Sequence, residues 1–220
     1  MNIIEEKGLY KTITNAAKVL FDGGSFNETE KTQLASWILD HQNRYKGFIF
    51  YPSEQDREDG IRLFSGEKPR SKFLVDNAVE LEALRLLALV HPNHPEVHRI
   101  FQEANERLLP LCFARGCIVG ECAHAGIAFR RYFMVFDGDE SSEKNRQTLE
   151  TLKQRRYGEG KWRDFPFYFT LLWLTELPGD LAQEELEYTR DYCRELSRKL
   201  ADDEPFVDIR RNVLRRVLDQ

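Results

Sequence analysis

The stretch from Tyr157 to Leu177 limits the fold of this chain more than any other part of the sequence. A glycine-containing turn ends in an aromatic residue, Trp162, and the acidic residue Asp164 is expected to open a helix. An almost wholly apolar run then extends from Phe165 to Leu174. A helix that is apolar on every side must be buried on every side. The sequence therefore predicts that this helix lies inside an all-helical domain.

Two more stretches have the same character, one from Lys72 to Val90 and one from Glu121 to Phe136. Helices with one apolar and one charged face are predicted between them. The fully apolar helices begin about 45 residues apart, a period typical of stacked helical pairs. Because fully apolar and amphipathic helices alternate, a closed or curved α/α barrel fits better than an open solenoid. We therefore predict an all-α fold, an α/α-toroid-like array of about nine helices with inner apolar and outer amphipathic helices.

Residues 1–220 are expected to form a single domain, because glycine, proline and serine are scattered and mark no linker. Apolar residues make up 41 % and charged residues 31 % of the chain, as in ordinary soluble proteins. No segment approaches the ~20 apolar residues of a membrane span, and the first residues lack the features of a secretory signal. We therefore expect a cytoplasmic location and no membrane partner. The net charge of −5 argues against nucleic acid as a partner.

A long loop is predicted at 46–71. Two short apolar runs, Phe48 to Tyr51 and Ile61 to Phe64, flank an acidic stretch that contains a glycine. This pattern fits a small hairpin or an irregular loop. Such a loop would either close over a site as a lid or pack against the outer surface of the domain.

Short glutamine and glycine motifs precede the apolar helices: Gln42 followed by Gly47-Phe48, then Gly116-Cys117, then Gln154 followed by Gly160-Lys161-Trp162. The pattern resembles the repeat of the terpenoid cyclase and protein prenyltransferase superfamily, in which a Gln and a Gly-x-Trp or Gly-Gly-Phe element precede an inner helix. The similarity is best over Thr151 to Leu177. It implies an α/α toroid in which ligands bind inside the funnel formed by the inner helices.

The sequence also departs from that superfamily. The only counterpart of the acidic Asp-x-Asp-Asp motif of the cyclases is Asp137-Gly138-Asp139-Glu140, just beyond an apolar helix. The zinc ligands of the prenyltransferases have no clear counterpart, and the chain is about half as long as a full toroid. The resemblance therefore concerns the fold, and whether the protein is an enzyme stays open.

The N-terminal ends of the predicted inner helices are the candidate ligand site, because they offer free N–H groups and a positive dipole. Acids paired across a cleft there could act as general acid and general base. The alternative is that a single acid at a helix start only caps the helix, which stabilises it by ~1 kcal/mol. His124, flanked by apolar residues, also fits a hydrogen-bonded core histidine. The ligand-binding candidates are Asp76, Glu80, Glu121, His124, Arg130, Trp162, Arg163, Asp164 and Tyr168.

Arg130 and Arg131 lie inside a helix that is otherwise apolar. A buried arginine needs a carboxylate or an anionic ligand, or must extend out of the core. We expect a structural pair with Asp76, Glu80 or Glu121, and binding of an anionic ligand is the alternative.

Three cysteines and a histidine, Cys112, Cys117, Cys122 and His124, form the pattern C-x4-C-x4-C-x-H. Thiolates and imidazoles are zinc ligands, but structural zinc sites usually place their cysteine pairs on tighter turns. On a helix, Cys122 and His124 would also point about 200° apart. We therefore expect free, buried thiols with no metal and no cofactor.

Two functions of different class follow from this reading. The first is a cavity at the N-terminal ends of the inner helices that binds a small-molecule ligand or carries out catalysis. The second is a non-enzymatic helical-repeat module that binds a protein partner, or a homodimer in which two copies complete one ring.

Overall fold

The computed structural model describes residue 4, residues 8–136 and residues 138–220, without the side chains of 138–141. The side chains of the acidic motif at 137–140 therefore lie outside the described residues. Within the described part of the chain there are ten α-helices and no β-strand, so the predicted all-α class is confirmed. The helices are α1 (Leu9–Phe21), α2 (Glu28–Asp40), α3 (Glu54–Glu58), α4 (Lys72–Val90), α5 (Pro95–Leu108), α6 (Cys122–Phe136), α7 (Gly138–Gln154), α8 (Phe167–Glu176), α9 (Gln183–Lys199) and α10 (Val207–Asp219).

Helices α4, α6 and α8 are the most buried elements, and we call them the inner helices. They pack in chain order, α4 against α6 and α6 against α8. Amphipathic helices cover them: α1 and α2 pack on α4, α7 packs on α6, and α9 and α10 pack on α8. The order of burial follows from the sequence, because an all-apolar helix gains most when other helices surround it.

Helix α8 begins at Phe167, three residues later than Asp164, where the sequence analysis expected its start. Asp164 has a φ of +71°, which no helix residue can adopt. The residue before a proline is also disfavoured in the helical conformation, and Phe165 stands directly before Pro166. Phe165 is therefore not part of the helix. The helix therefore starts only after the proline.

The 46–71 loop is ordered by local turns and by contacts with the helices. Lys46 and Gly47 have φ values of +49° and +83°, as in the tight turns that join two antiparallel strands. Around this turn the backbones of Tyr45 and Phe48 exchange two hydrogen bonds. The acidic stretch that follows forms α3, in which Ser53 and its helix make a reciprocal capping box. The loop thus contains a minimal hairpin and a short helix.

A network of four charges joins the three inner helices; Arg131 is buried and the other three side chains are 12–15 % exposed. Arg131 of α6, with a side chain only 2 % exposed, binds Glu176 of α8 at 2.8 Å and Glu82 of α4 at 3.0 Å. Arg85 of α4 binds the same two carboxylates, at 3.0 Å and 3.3 Å. Burial favours the neutral acid, yet Arg131 and Arg85 hold the pKa of Glu176 below its usual range. We call these residues the charge quartet.

The predicted pairing of Arg130 and Arg131 with Asp76, Glu80 or Glu121 was wrong. Arg131 binds Glu82 and Glu176 rather than an acid at a helix start. Arg130 binds no carboxylate among the described residues: its Nε donates to Thr148 Oγ1 at 2.9 Å and its Nη2 to the Ala114 carbonyl at 3.1 Å. The acids at the start of α4 are already engaged by the 46–71 loop and by α5, so they are not free to bind α6.

No helix of the described chain is both long enough and apolar enough to cross a lipid bilayer.

Candidate functional site

The starts of the three inner helices lie at one end of the molecule. Glu67, just before α4, accepts hydrogen bonds from the N–H groups of Tyr168 and Phe169 at the start of α8, at 3.0 Å and 2.9 Å. His124, near the start of α6, interacts electrostatically with Arg70 before α4 and with Asp164 before α8. The inner helices therefore point in the same direction, and their N-terminal ends form a common rim.

The chain itself fills the anion site at the start of α8. The carboxylate of Glu67 accepts hydrogen bonds from two of the free N–H groups there. It accepts a third from Ser65 Oγ, at 2.5 Å. Burial raises the pKa of Glu67, and the hydrogen bonds partly oppose that rise. The helix end that the sequence suggested as open to a ligand is therefore occupied by a carboxylate of the 46–71 loop.

His124 is buried and makes no hydrogen bond through Nδ1 within the described structure. Burial, together with the charge of Arg70, lowers its pKa to about 4, and Asp164 opposes this only weakly. The imidazole is therefore neutral at pH 7, which fits a core histidine better than a charged ligand-binding group.

Lowering the pH from 6.5 to 5 should destabilise the protein by roughly 1–2 kcal/mol through His124. Its pKa of about 4 in the folded protein lies below the ordinary value of 6.5, so the unfolded chain takes up the proton first. Stability is intact above pH 6.5 and is lost as the pH falls towards 4. Urea unfolding at pH 7, 6 and 5 would measure this loss. The variant His124→Gln should flatten the profile, whereas His98→Gln, at an exposed site on α5, should not.

The candidates around the turn before α8 have structural contacts. Trp162 is buried and its Nε1 donates to Glu185 Oε2 at 2.7 Å. Arg163 and Asp164 are exposed; the guanidinium of Arg163 lies 5.9 Å from the ring centre of Tyr157. Trp162 fastens the turn to α9, whereas Arg163 and Asp164 contact Tyr157 and Arg155, which precede it in the chain.

Tyr168, Glu121 and Arg130 lie apart from one another, and Arg130 lies in the middle of α6 rather than at its start. The ring of Tyr168 packs beneath Arg210 of α10, whose guanidinium carbon is 4.9 Å from the ring centre. Glu121 is partly exposed, and its backbone carbonyl accepts from Ala125 N–H. Arg130 is buried, and burial lowers its pKa to about 10. The structure brings the helix starts together, but these three side chains do not share one site.

An open groove lies beside the start of α4 and has about 490 Å³ of free space. Its walls come from the segment before the 46–71 loop, from the loop itself and from the first residue of α4. The residues that define its character are Arg44, Tyr45, Tyr51, Arg57 and Lys72, and we call it the Tyr51 groove. Volumes of about 300–1,000 Å³ are typical of small-molecule sites.

The two tyrosine rings of the Tyr51 groove lie side by side, and two cations lie over the ring of Tyr51. The ring centres of Tyr45 and Tyr51 lie 4.6 Å apart. The Arg57 guanidinium carbon and Lys72 Nζ lie 4.9 Å and 4.7 Å from the centre of the Tyr51 ring, and Lys72 also donates a hydrogen bond to the Tyr51 hydroxyl. Such cation–π contacts hold a cation in place without neutralising it.

Acids behind the groove hold its cations in position. Asp76, with a side chain 9 % exposed, pairs with Arg57 and, at 3.1 Å, with Lys72. Arg44 pairs with Glu103 of α5, and both of these side chains are exposed. Asp76, a candidate ligand residue from the sequence, therefore positions two cations of the groove.

Glu80 is completely buried one turn further along α4. Its Oε1 accepts from the backbone N–H of Ile49 at 2.7 Å, and its Oε2 pairs with Arg107 of α5. The Arg107 guanidinium in turn covers the ring of Phe48. Glu80 thus fixes the hairpin that carries the tyrosines of the groove.

No known family model, curated protein or solved structure matches this chain. The candidate site must therefore be judged by its own geometry.

Two further pockets are much smaller than the Tyr51 groove. One lies between α1, the 46–71 loop and α4, and the other lies along α6. Each has about 20 Å³ of free space, which is room for about one water molecule. The groove is the better candidate for a small organic ligand because it needs no rearrangement of the core.

The three cysteines before and at the start of α6 lie together. The Sγ atoms of Cys112, Cys117 and Cys122 are all within 4.8 Å of one another, and those of Cys112 and Cys122 are 3.2 Å apart. The backbone N–H of Val119 lowers the pKa of the Cys117 thiol, whereas burial and the two neighbouring thiols raise the pKa of Cys122 to about 12. His124 is not a member of this cluster.

The sequence analysis missed the groove residues Tyr45, Tyr51, Arg57 and Lys72. A signal for them was present, because tyrosines stand just before and at the end of the apolar run of the loop, and Arg57 interrupts its acidic stretch. The spacing alone does not show that these residues meet, since the path of the loop decides it.

Proposed function

We propose that this chain binds a small anionic ligand in the Tyr51 groove, at the N-terminal end of an α/α-toroid-like array. We retain the α/α toroid that is implied by the resemblance to the repeat of the terpenoid cyclase and protein prenyltransferase superfamily. It is supported by the chain-order packing of the inner helices, by the amphipathic helices that cover them, and by their common rim.

The observation that carries the proposal is the charge and shape of the groove. Three cations, Arg44, Arg57 and Lys72, line it beside two tyrosine faces and one acid, Glu54, whereas the acids Asp76 and Glu103 pair with these cations. A ligand with an anionic group and a flat apolar part would meet cations and aromatic surface together. Because partners already fix the side chains, little conformational entropy is lost when the ligand binds.

The groove is suited to holding charge, and we assign no reaction to it. The hydrogen bond with Tyr51, and then the nearby Asp76, raise the pKa of Lys72. Lys72 is therefore a cation at neutral pH and acts as an electrostatic anchor rather than as a base.

Phenyl phosphate is expected to bind the protein, and the substitution Lys72→Gln should weaken this binding about fivefold, equivalent to ~1 kcal/mol for an exposed charge. The loss arises because an anionic group no longer meets the ammonium group. Saturation-transfer NMR would measure binding, with phenol as the neutral probe and inorganic phosphate as the anion without a ring.

The matched control is Lys199→Gln. Lys199 pairs with Glu195 four residues away, the same spacing as Lys72 and Asp76 but with the acid first, and its side chain is similarly exposed, at 68 % against 65 %. It lies at the end of α9 and should leave binding unchanged. Absence of phenyl phosphate binding, or equal affinity in the Lys72 variant and in the unmodified protein, would contradict the proposal.

A further inference from the structure

The three-cysteine cluster is built by two tight turns. In the first, the N–H of Cys117 donates to the carbonyl of Cys112 at 2.9 Å and the N–H of Gly116 to that of Phe113 at 3.3 Å. This is the Schellman arrangement, and Gly116 takes the left-handed position with a φ of +90°. The turn brings Cys117 back beside Cys112 although four residues separate them.

The second turn brings the third thiol to the other two. Gly120 has a φ of +56°, and the N–H of Cys122 donates to the carbonyl of Val119 at 3.2 Å. Cys122 is the first residue of α6, so its position is fixed by the packing of an inner helix. Two glycine turns and one helix start thus place three sulfur atoms around one point.

We propose that Cys112, Cys117 and Cys122 bind one thiophilic metal ion of the Zn²⁺ type through three thiolates, with the fourth coordination position open to solvent or to a small anion. Each thiol that coordinates the metal releases its proton. The site is independent of the Tyr51 groove and of the ligand proposed there.

The spacing of the sulfur atoms fits this ion. Three sulfurs at about 2.3 Å from a tetrahedral zinc lie about 3.8 Å from one another. The observed separations include one of 3.2 Å, and none exceeds 4.8 Å, so shifts of less than about 1 Å complete the geometry. A site with three protein ligands is of the open kind, because the fourth position belongs to an exogenous ligand.

The surroundings suit an open site. Cys112 is exposed, and Cys117 and Cys122 are partly exposed, so an ion can reach the thiols. Cys117 and Cys122 also line the pocket along α6, which Arg130 shares. Nη1 of Arg130 is buried without a hydrogen-bond partner in the described structure, and a metal with three thiolates carries a net negative charge that a nearby guanidinium favours.

Titration of the reduced protein with Co²⁺, a spectroscopic substitute for Zn²⁺, is the direct test. One equivalent should produce a sulfur-to-cobalt charge-transfer band in the near ultraviolet and the visible bands of a tetrahedral site. An equivalent of Zn²⁺ should then remove both. Counting free thiols before the titration ensures that the cluster is reduced.

Two cysteine variants distinguish the cluster from unspecific thiol binding. Cys117→Ser should weaken Zn²⁺ binding by more than about 100-fold. Even the loss of a residue that only hydrogen-bonds to a metal ligand costs about 10–100-fold in metal affinity. Cys193→Ser removes the buried cysteine of α9 and should leave the cobalt spectrum unchanged. If the fully reduced protein gives no charge-transfer band, or if Cys117→Ser binds as the unmodified protein does, the proposal is wrong. An intact mass two hydrogens lighter, with Cys112 bonded to Cys122, would show a disulfide in the protein as purified. If that protein takes up no metal after reduction, the disulfide pair replaces the proposed metal site.

Discussion

Replacing Glu176 by glutamine should lower the free energy of unfolding by roughly 3–5 kcal/mol. Glu176 accepts hydrogen bonds from Nε and Nη2 of Arg131 at 2.8 Å and 2.9 Å, and another from Arg85 at 3.0 Å. The substitution keeps the shape of the side chain but leaves two guanidinium groups with a single carboxylate, that of Glu82. A buried charge without its full complement of partners is among the most costly defects in a protein core.

Urea unfolding of the single and double variants would show where the loss comes from. Arg131→Met combined with Glu176→Gln should be less destabilising than Glu176→Gln alone, because it also removes the buried cation. The control is Glu96→Gln, which breaks an exposed pair with Arg99 and should cost less than about 1 kcal/mol. Equal stability of the Glu176 and Glu96 variants would contradict a structural role for the charge quartet.

The quartet also adds to the acid sensitivity of the protein. The pKa of Glu176 is held below its usual range in the folded protein by Arg131 and Arg85, despite its burial. The carboxylate therefore contributes stability above its ordinary pKa of 4.5, and that stability is lost as the pH falls further. This range overlaps the lower part of the pH range of His124, so the variant His124→Gln isolates the contribution of Glu176.

Replacing Glu80 by glutamine should cost about 3 kcal/mol of stability and also loosen the Tyr51 groove. The substitution leaves the guanidinium of Arg107 without its buried carboxylate and weakens the hydrogen bond from Ile49 N–H. Because Ile49 follows the hairpin that carries Tyr45 and precedes Tyr51, its attachment to α4 fixes both rings. The variant should therefore lose stability and ligand affinity together.

Hydrogen exchange would separate the local effect from the global one. Relative to the unmodified protein, the Glu80 variant should show a larger increase in exchange rate for the amides of 45–51 than for those in the core of α6. The comparison is made under conditions where the protein remains folded. The control is Glu121→Gln, at another acid near the start of an inner helix but partly exposed, which should cost less than about 0.5 kcal/mol. If both variants behave alike, Glu80 does not anchor the loop.

The all-α class of the fold and its most buried helices follow from the sequence alone. The predicted helix from Lys72 to Val90 has those same bounds in the structure, and the helix predicted from Glu121 begins one residue later. These features depend on which faces of a helix are apolar, a local property that can be read from spacing.

The tertiary structure alone decided which charged side chains meet. Glu67 reaches the start of α8 across 101 residues of sequence, and Arg131 finds Glu82 and Glu176 rather than the acids at the helix starts. The cysteine spacing was visible in the sequence, but two left-handed glycines bring the thiols together. Such meetings depend on how each helix is rotated about its axis and on the path of each loop. Both are set by the packing of the whole core, which no local pattern specifies.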